Sequence, residues 1–117
     1  MIPMARVPAH LDPETCGRAD AALVRGFNLL GRRWTGVLLG TLSGGPLGFR
    51  ALARAVEGIS DSVLSERLGE LVDTGLVDRV VSDGPPVAVR YQLTEAGRAL
   101  LPALERISRW AEEHLPA

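Results

Sequence analysis

The chain has 117 residues, 13 basic and 14 acidic side chains, a formal net charge of −1 and 46% hydrophobic residues. That is one domain, large enough to bury a core and too small to divide. A run of about 18 apolar residues is missing, which excludes a membrane span, and the near-neutral balance excludes binding to nucleic acid through bulk charge alone.

Residues 1–17 carry Pro3, Pro8 and Pro13 without periodicity and are expected to form an N-terminal arm. The arm lacks a basic segment followed by an apolar one, so no signal peptide is read and a cytoplasmic place is expected. Its one cysteine, Cys16, rules out an internal disulfide and fits a reducing compartment. From Arg18 to Gly31, apolar residues recur at Ala19, Ala22, Leu23, Phe27 and Leu30, the spacing of a first helix. Arg32 to Ser43 repeats it with Trp34, Val37, Leu38 and Leu42 inward, and Gly44-Gly45-Pro46 ends this second helix. Within it Gly36 and Gly40 each cost about 1 kcal/mol against alanine. Such a cost suggests close packing, either helix on helix in the core or a flat face with room for a ligand or a partner helix.

Leu47-Gly48-Phe49 is at most a token strand, and Arg50 to Glu57 gives a brief third helix with Leu52, Ala53 and Val56 inward. After the break Gly58-Ile59-Ser60 comes a fourth helix with its ends marked: Ser60 suits the N-cap and Gly75 the left-handed position past the C-terminus. Leu64, Leu68, Leu71 and Val72 gather on one side of it; Ser62, Ser65, Glu66, Gly69 and Asp73 gather on the other. The polar side is short-chained, which suits either a solvated amphipathic helix or a helix lying in a DNA major groove about 12 Å wide. Two helices joined by so tight a turn form a helix-turn-helix.

The period then changes to two. Val77–Val81 reads as a strand, Ser82–Pro86 as a turn, and Val87–Leu93 as a strand with Val87, Val89, Tyr91 and Leu93 on one face. This hairpin is either a wing that brings Arg90 to DNA or a small sheet capping the helices. Thr94 is the next N-cap, and the last helix carries Leu100, Leu101, Leu104, Ile107, Trp110, Ala111 and Leu115. At about 31 Å it overruns its own core, so Leu104, Ile107, Trp110, Ala111 and Leu115 are expected to meet a second copy of the chain, with helix one, through Leu23 and Phe27, as the other dimer surface. The fold class is therefore mainly α with a small β-hairpin: a winged helix-turn-helix domain over 18–115 with N- and C-terminal dimerisation helices, the latter over 94–115.

Seven arginines face seven acids between Arg32 and Arg90. DNA binding then requires Arg32, Arg33, Arg50, Arg54, Arg67 and Arg90 to share a face, with Asp73, Asp78 and most other acids elsewhere.

In this order the residues resemble the HxlR family of bacterial winged helix-turn-helix transcription regulators, relatives of the MarR group. The resemblance rests on Cys16 ahead of helix one, Leu30-Gly31-Arg32-Arg33-Trp34-Thr35, Gly45-Pro46 with Phe49, and Gly58-Ile59-Ser60. It continues through Val63-Leu64-Ser65-Glu66-Arg67-Leu68, Gly75-Leu76-Val77 with Arg79, and Tyr91-Gln92-Leu93-Thr94 with Gly97. It implies a homodimer on a pseudo-palindromic duplex operator, read by the Ser60–Thr74 helix and the wing. Carried over by position, Ser62, Ser65 and Arg67 are candidate base or phosphate contacts on the reading helix, and Ser60 and Glu66 are further candidate DNA contacts there. Arg32, Arg33, Arg50 and Arg90 are candidate backbone clamps. Asp61 and Glu66 depart from the family's usual basic or amide residues; Glu66 can accept from a cytosine amino group, and Asp61 favours the helix dipole.

Cys16, Trp34, Gly36 and Gly40 are the candidates for a small-molecule or redox site. A thiolate near a helix N-terminus beside Arg18 is more reactive than average; the other reading of Cys16 is a thiol packed at the dimer seam. A P-loop outline between Gly26 and Arg33 lacks the lysine, the Ser/Thr and the preceding strand. His10 and His114 lie far apart without ligand spacing. No catalysis, metal or cofactor is expected. The alternative to a DNA-binding regulator is a winged-helix module for protein interaction or small-molecule binding without DNA.

Overall fold

Local capping sets where several elements begin and end. The computed structural model describes residues 16–117, with side chains from Asp20 onward; the arm expected before them lies outside the described residues. Two units follow one another along the chain, dividing after Arg33. In the first, α1 (Cys16–Leu30) leaves Leu23, Val24 and Phe27 exposed. The second holds α2 (Thr35–Thr41), a 3-10 turn (Leu42–Gly44), α3 (Phe49–Ala55), α4 (Asp61–Asp73), β1 (Val77–Val81), β2 (Val89–Leu93) and α5 (Glu95–His114).

The second helix starts later than its periodicity predicts. Trp34 takes a left-handed backbone with φ 80°, and its carbonyl accepts the first helical bond from Leu38 N–H at 2.9 Å, so Arg32 and Arg33 stay in the connecting turn. Val37, expected inward, is exposed, because the shorter helix turns Leu38 and Leu39 to the core instead. The third helix runs Phe49–Ala55, a residue earlier at its start and two shorter at its end.

The core of the second unit is built from Leu38, Leu39 and Leu42, from Leu52 and Val56, from Leu64, Leu68 and Leu71, and from Val77 and Leu93, each under 5% exposed. Val72 is half-buried at the margin. Among the described residues no buried side-chain polar atom lacks a hydrogen-bond partner.

β1 and β2 pair antiparallel in the register Val77↔Leu93 to Val81↔Val89. On the other edge of β2, Leu47 exchanges both backbone bonds with Tyr91, at 3.0 and 2.8 Å, so the token strand is a single bridge. β2 is two residues shorter than the alternation suggests. The ladder closes at Ser82 N–H to Ala88 O, 2.8 Å, and Val87 falls in the turn, exposed.

Candidate nucleic-acid interface

Ser60 caps α4 as read: its Oγ accepts from Val63 N–H at 3.2 Å, which relieves one of the amides a first turn leaves unpaired. At the other end Gly75, φ 81°, lets the chain reverse; its N–H reaches Val72 O and Leu76 N–H reaches Leu71 O, both at 3.0 Å, the two bonds of a Schellman stop. With Leu64, Leu68 and Leu71 locked in the core, the opposite side is fixed outward, and Ser62, Ser65, Glu66, Gly69 and Asp73 are all exposed.

The end of α4 is also tied to the start of α5. Thr94 Oγ1 donates to Gly75 O at 2.6 Å and accepts from Gly97 N–H at 3.1 Å, while Thr94 N–H donates to Leu76 O at 3.0 Å. Gly97 is buried here, and a Cβ on it would collide with the Leu76 carbonyl. One threonine thus joins α4, the hairpin base and the long helix.

The arginines divide into kinds. Arg50, at the start of α3, donates to Asp61 Oδ2 at 2.6 Å and stacks 5.0 Å above the Phe49 ring, with both charged side chains about 62% exposed. Arg67 is only 14% exposed and bonds Glu66 Oε1 at 2.9 Å and Glu70 Oε1 at 3.4 Å. The expected separation of arginines from acids therefore does not hold at Arg50 or Arg67, whose carboxylate partners are immediate neighbours. Glu70 was readable from its i,i+3 spacing to Arg67; Asp61, eleven residues from Arg50, had no such signal. Arg90 stands exposed on β2 opposite Val80, and Arg32 and Arg33 are exposed in the turn before Trp34.

Among the effector candidates of the second unit, Trp34 lies apart from the groove that Gly36 and Gly40 line. The side chain of Cys16, at the first residue of α1, lies outside the described residues. The Trp34 ring lies 3.6 Å from the place a Cβ on Gly58 would occupy, against the turn of the helix-turn-helix. Gly36 and Gly40 line a groove of about 540 Å³ between α2 and α5, with Val37 beside them and Leu104, Ile107 and Ser108 opposite. The close packing expected of these glycines is not present within the subunit. A Cβ on Gly36 would make ordinary contact with Leu104 at 3.8 Å, and one on Gly40 would meet nothing within 4 Å. Along α5, Leu104 and Ala111 are half-buried, and Ile107, Trp110 and Leu115 are exposed.

Among the described residues, no group of three or more His, Cys, Asp or Glu side chains is placed to hold a metal, and no helix is long and apolar enough to cross a membrane.

A helix-turn-helix with an outward hydroxyl face, followed directly by a two-stranded wing and a long terminal helix, is a winged helix-turn-helix transcription regulator. Residues 29–117 match the model of the HxlR-like helix-turn-helix family, and the chain belongs to it. The transcriptional regulator YodB of Bacillus subtilis is 39% identical over 98 residues, covering 84% of each chain. YvaP of the same organism is 39% identical over 100 residues, covering 86% of this chain and 89% of its own. The reduced form of YodB superposes with a TM-score of 0.73 at 36% identity, over 86% of this chain and 94% of that one. The oxidised form of the redox regulator HypR gives 0.76 at 29%, over 82% and 99%. YodB has also been solved diamide-treated and quinone-bound. The relatives named are HTH-type transcriptional regulators.

Proposed function

We propose that this chain is a homodimeric, sequence-specific DNA-binding regulator whose affinity for its operator is altered by a small molecule or by modification of Cys16. The observation that carries the reading is the exposed face of α4, where Ser62, Ser65, Glu66 and Gly69 are held outward by a leucine core, because a largely short-chained polar face lets a helix come close to the base edges of the major groove. Ser60, Ser62, Ser65 and Glu66 are its reading-helix residues, Arg67 stands behind them on Glu66 and Glu70, and Arg32, Arg33, Arg50 and Arg90 supply phosphate contacts.

The dimer forms through faces that one subunit leaves exposed, Leu23 and Phe27 on α1 and Ile107, Trp110 and Leu115 along the last helix, with the half-buried Leu104 and Ala111 beside them. Two-fold symmetry then sets two reading helices about 34 Å apart, one turn of the duplex. The groove beside Gly36 and Gly40 is the place for a small effector. Because the chain has a single cysteine, diamide or a quinone, agents that appear with YodB, would act through Cys16, and an oxidant could join that thiol only to another molecule.

Footprinting against the DNA flanking the protein's own gene tests this, repeated after diamide treatment and with Cys16→Ser. Protection over a two-fold site, with affinity falling steeply as salt rises, is the expected result; no duplex binding at low salt would overturn the reading. Affinity unchanged by alkylation of the thiol would remove Cys16 from the regulation and leave the groove.

A further inference from the structure

Within that DNA-binding reading, we propose that Glu66 reads a cytosine in each half-site and that Arg67 is a positioning residue that aims Glu66 without touching DNA. Adjacent residues on a helix point about 100° apart and do not ordinarily face each other. Here they meet: Arg67 Nη1 bonds Glu66 Oε1 at 2.9 Å. The contact needs the longer side chain to bend round, and its second leg on Glu70 Oε1 at 3.4 Å holds it there, with Arg67 only 14% exposed. Glu66 itself is 58% exposed. Toward the C-terminal end of the helix its flank is Gly69, where even a Cβ would meet nothing within 4 Å. The carboxylate is held by Arg67 and exposed beside a glycine.

The chemistry then chooses the base. A carboxylate only accepts, and with about four lone-pair sites it can keep Arg67 while taking another donor. In the major groove guanine presents two acceptors, thymine an acceptor and a methyl, and adenine a donor beside the N7 acceptor, which repels an anion. Cytosine alone offers its N4 amino donor with no acceptor on the same base edge. Ser62 and Ser65 both donate and accept, so they tolerate any base. Glu66 is thus the discriminating side chain on this face. Arg67 also lowers the cost of bringing acids to the phosphates, since it offsets one of the two carboxylates, Glu66 and Glu70, that it bonds.

Selection from a randomised duplex library with the full-length protein, followed by affinities on every single-base replacement of the selected site, tests the assignment. The expected result is one C·G position per half-site where replacement costs roughly ten- to hundredfold. Glu66→Gln should move the preference there to A·T, because an amide pairs with adenine N6 and N7. Arg67→Met, which keeps the apolar stem, should flatten the preference at that position alone while leaving the salt dependence and the melting temperature near wild type, and Arg67→Lys should restore part of it. Unaltered preference at every position in Glu66→Gln would overturn the proposal. A salt slope shallower by about one phosphate contact per subunit in Arg67→Met would overturn the positioning role. If the wild type enriches no sequence at all, the DNA-binding reading itself fails, an outcome distinct from both.

Discussion

Replacing Gly97 by alanine sets two effects of opposite sign against each other. In the first turn of α5, alanine gains about 1 kcal/mol of helix propensity over glycine. Against it stands the junction with the end of α4, where the new methyl would strike the Leu76 carbonyl oxygen and come within 3.2 Å of Leu93 Cδ2. Overfilling a packed site costs about 1–3 kcal/mol, and the obstacle here is backbone, which has no rotamer to turn away, so the upper value applies. The difference is a net loss of about 2 kcal/mol, or a fall in Tm of about 8 °C for a chain of this size. Gly69→Ala is the matched control: its Cβ would point into open space, so propensity acts alone and the Tm should rise by about 4 °C. Both are read by thermal unfolding followed by circular dichroism at one fixed protomer concentration, since association shifts Tm. A Gly97→Ala protein melting at or above wild type would refute the close approach between α5 and the Leu76 backbone. A Gly69→Ala protein melting as far below would refute the open face.

Ser60→Ala removes the acceptor for Val63 N–H and should cost about 1 kcal/mol in denaturant unfolding, with the m-value unchanged. Arg90→Ala should leave stability within about 0.5 kcal/mol while lowering duplex affinity and cutting the salt slope by about one contact per subunit; unchanged affinity would take the wing off the DNA. Ile107→Glu puts a charge on the exposed apolar face of α5 and should give a monomer by sedimentation velocity at micromolar protein. A persistent dimer would place the subunit contact elsewhere.

The features legible in the sequence are those fixed by local chemistry. Ser60, Gly75 and Thr94 declare their ends because a hydroxyl or a missing Cβ acts within a few residues of itself. The leucine face of α4 was equally plain from its period. The late start of α2 was hidden, since Trp34, Val37 and Leu38 continue a helical pattern through a residue whose backbone is left-handed. At Val87 the alternation outlasts the pairing, because the sequence repeats its period for two residues after the partner strand has turned away. The charge arrangement of the site was the least legible part. The Arg50–Asp61 pair spans the turn between two helices, and the Glu66–Arg67 pair depends on a side chain bending against the direction its helical position assigns. The groove at Gly40 was foreseen as a possibility, and what decides for it is the α2–α5 spacing, a tertiary quantity.

Thr94 has a mechanical consequence. Its bonds to Gly75 and Leu76 couple the foot of α5 to the stop of α4, so the two cannot tilt independently. A 20-residue helix is a rod about 30 Å long. Pin its far end against a partner, and a lean of about 10° displaces the foot by about 5 Å, more than the roughly 3.4 Å step between base pairs. In the proposed dimer, a disturbance too slight to unfold anything would therefore throw the two halves of the molecule out of step with the duplex.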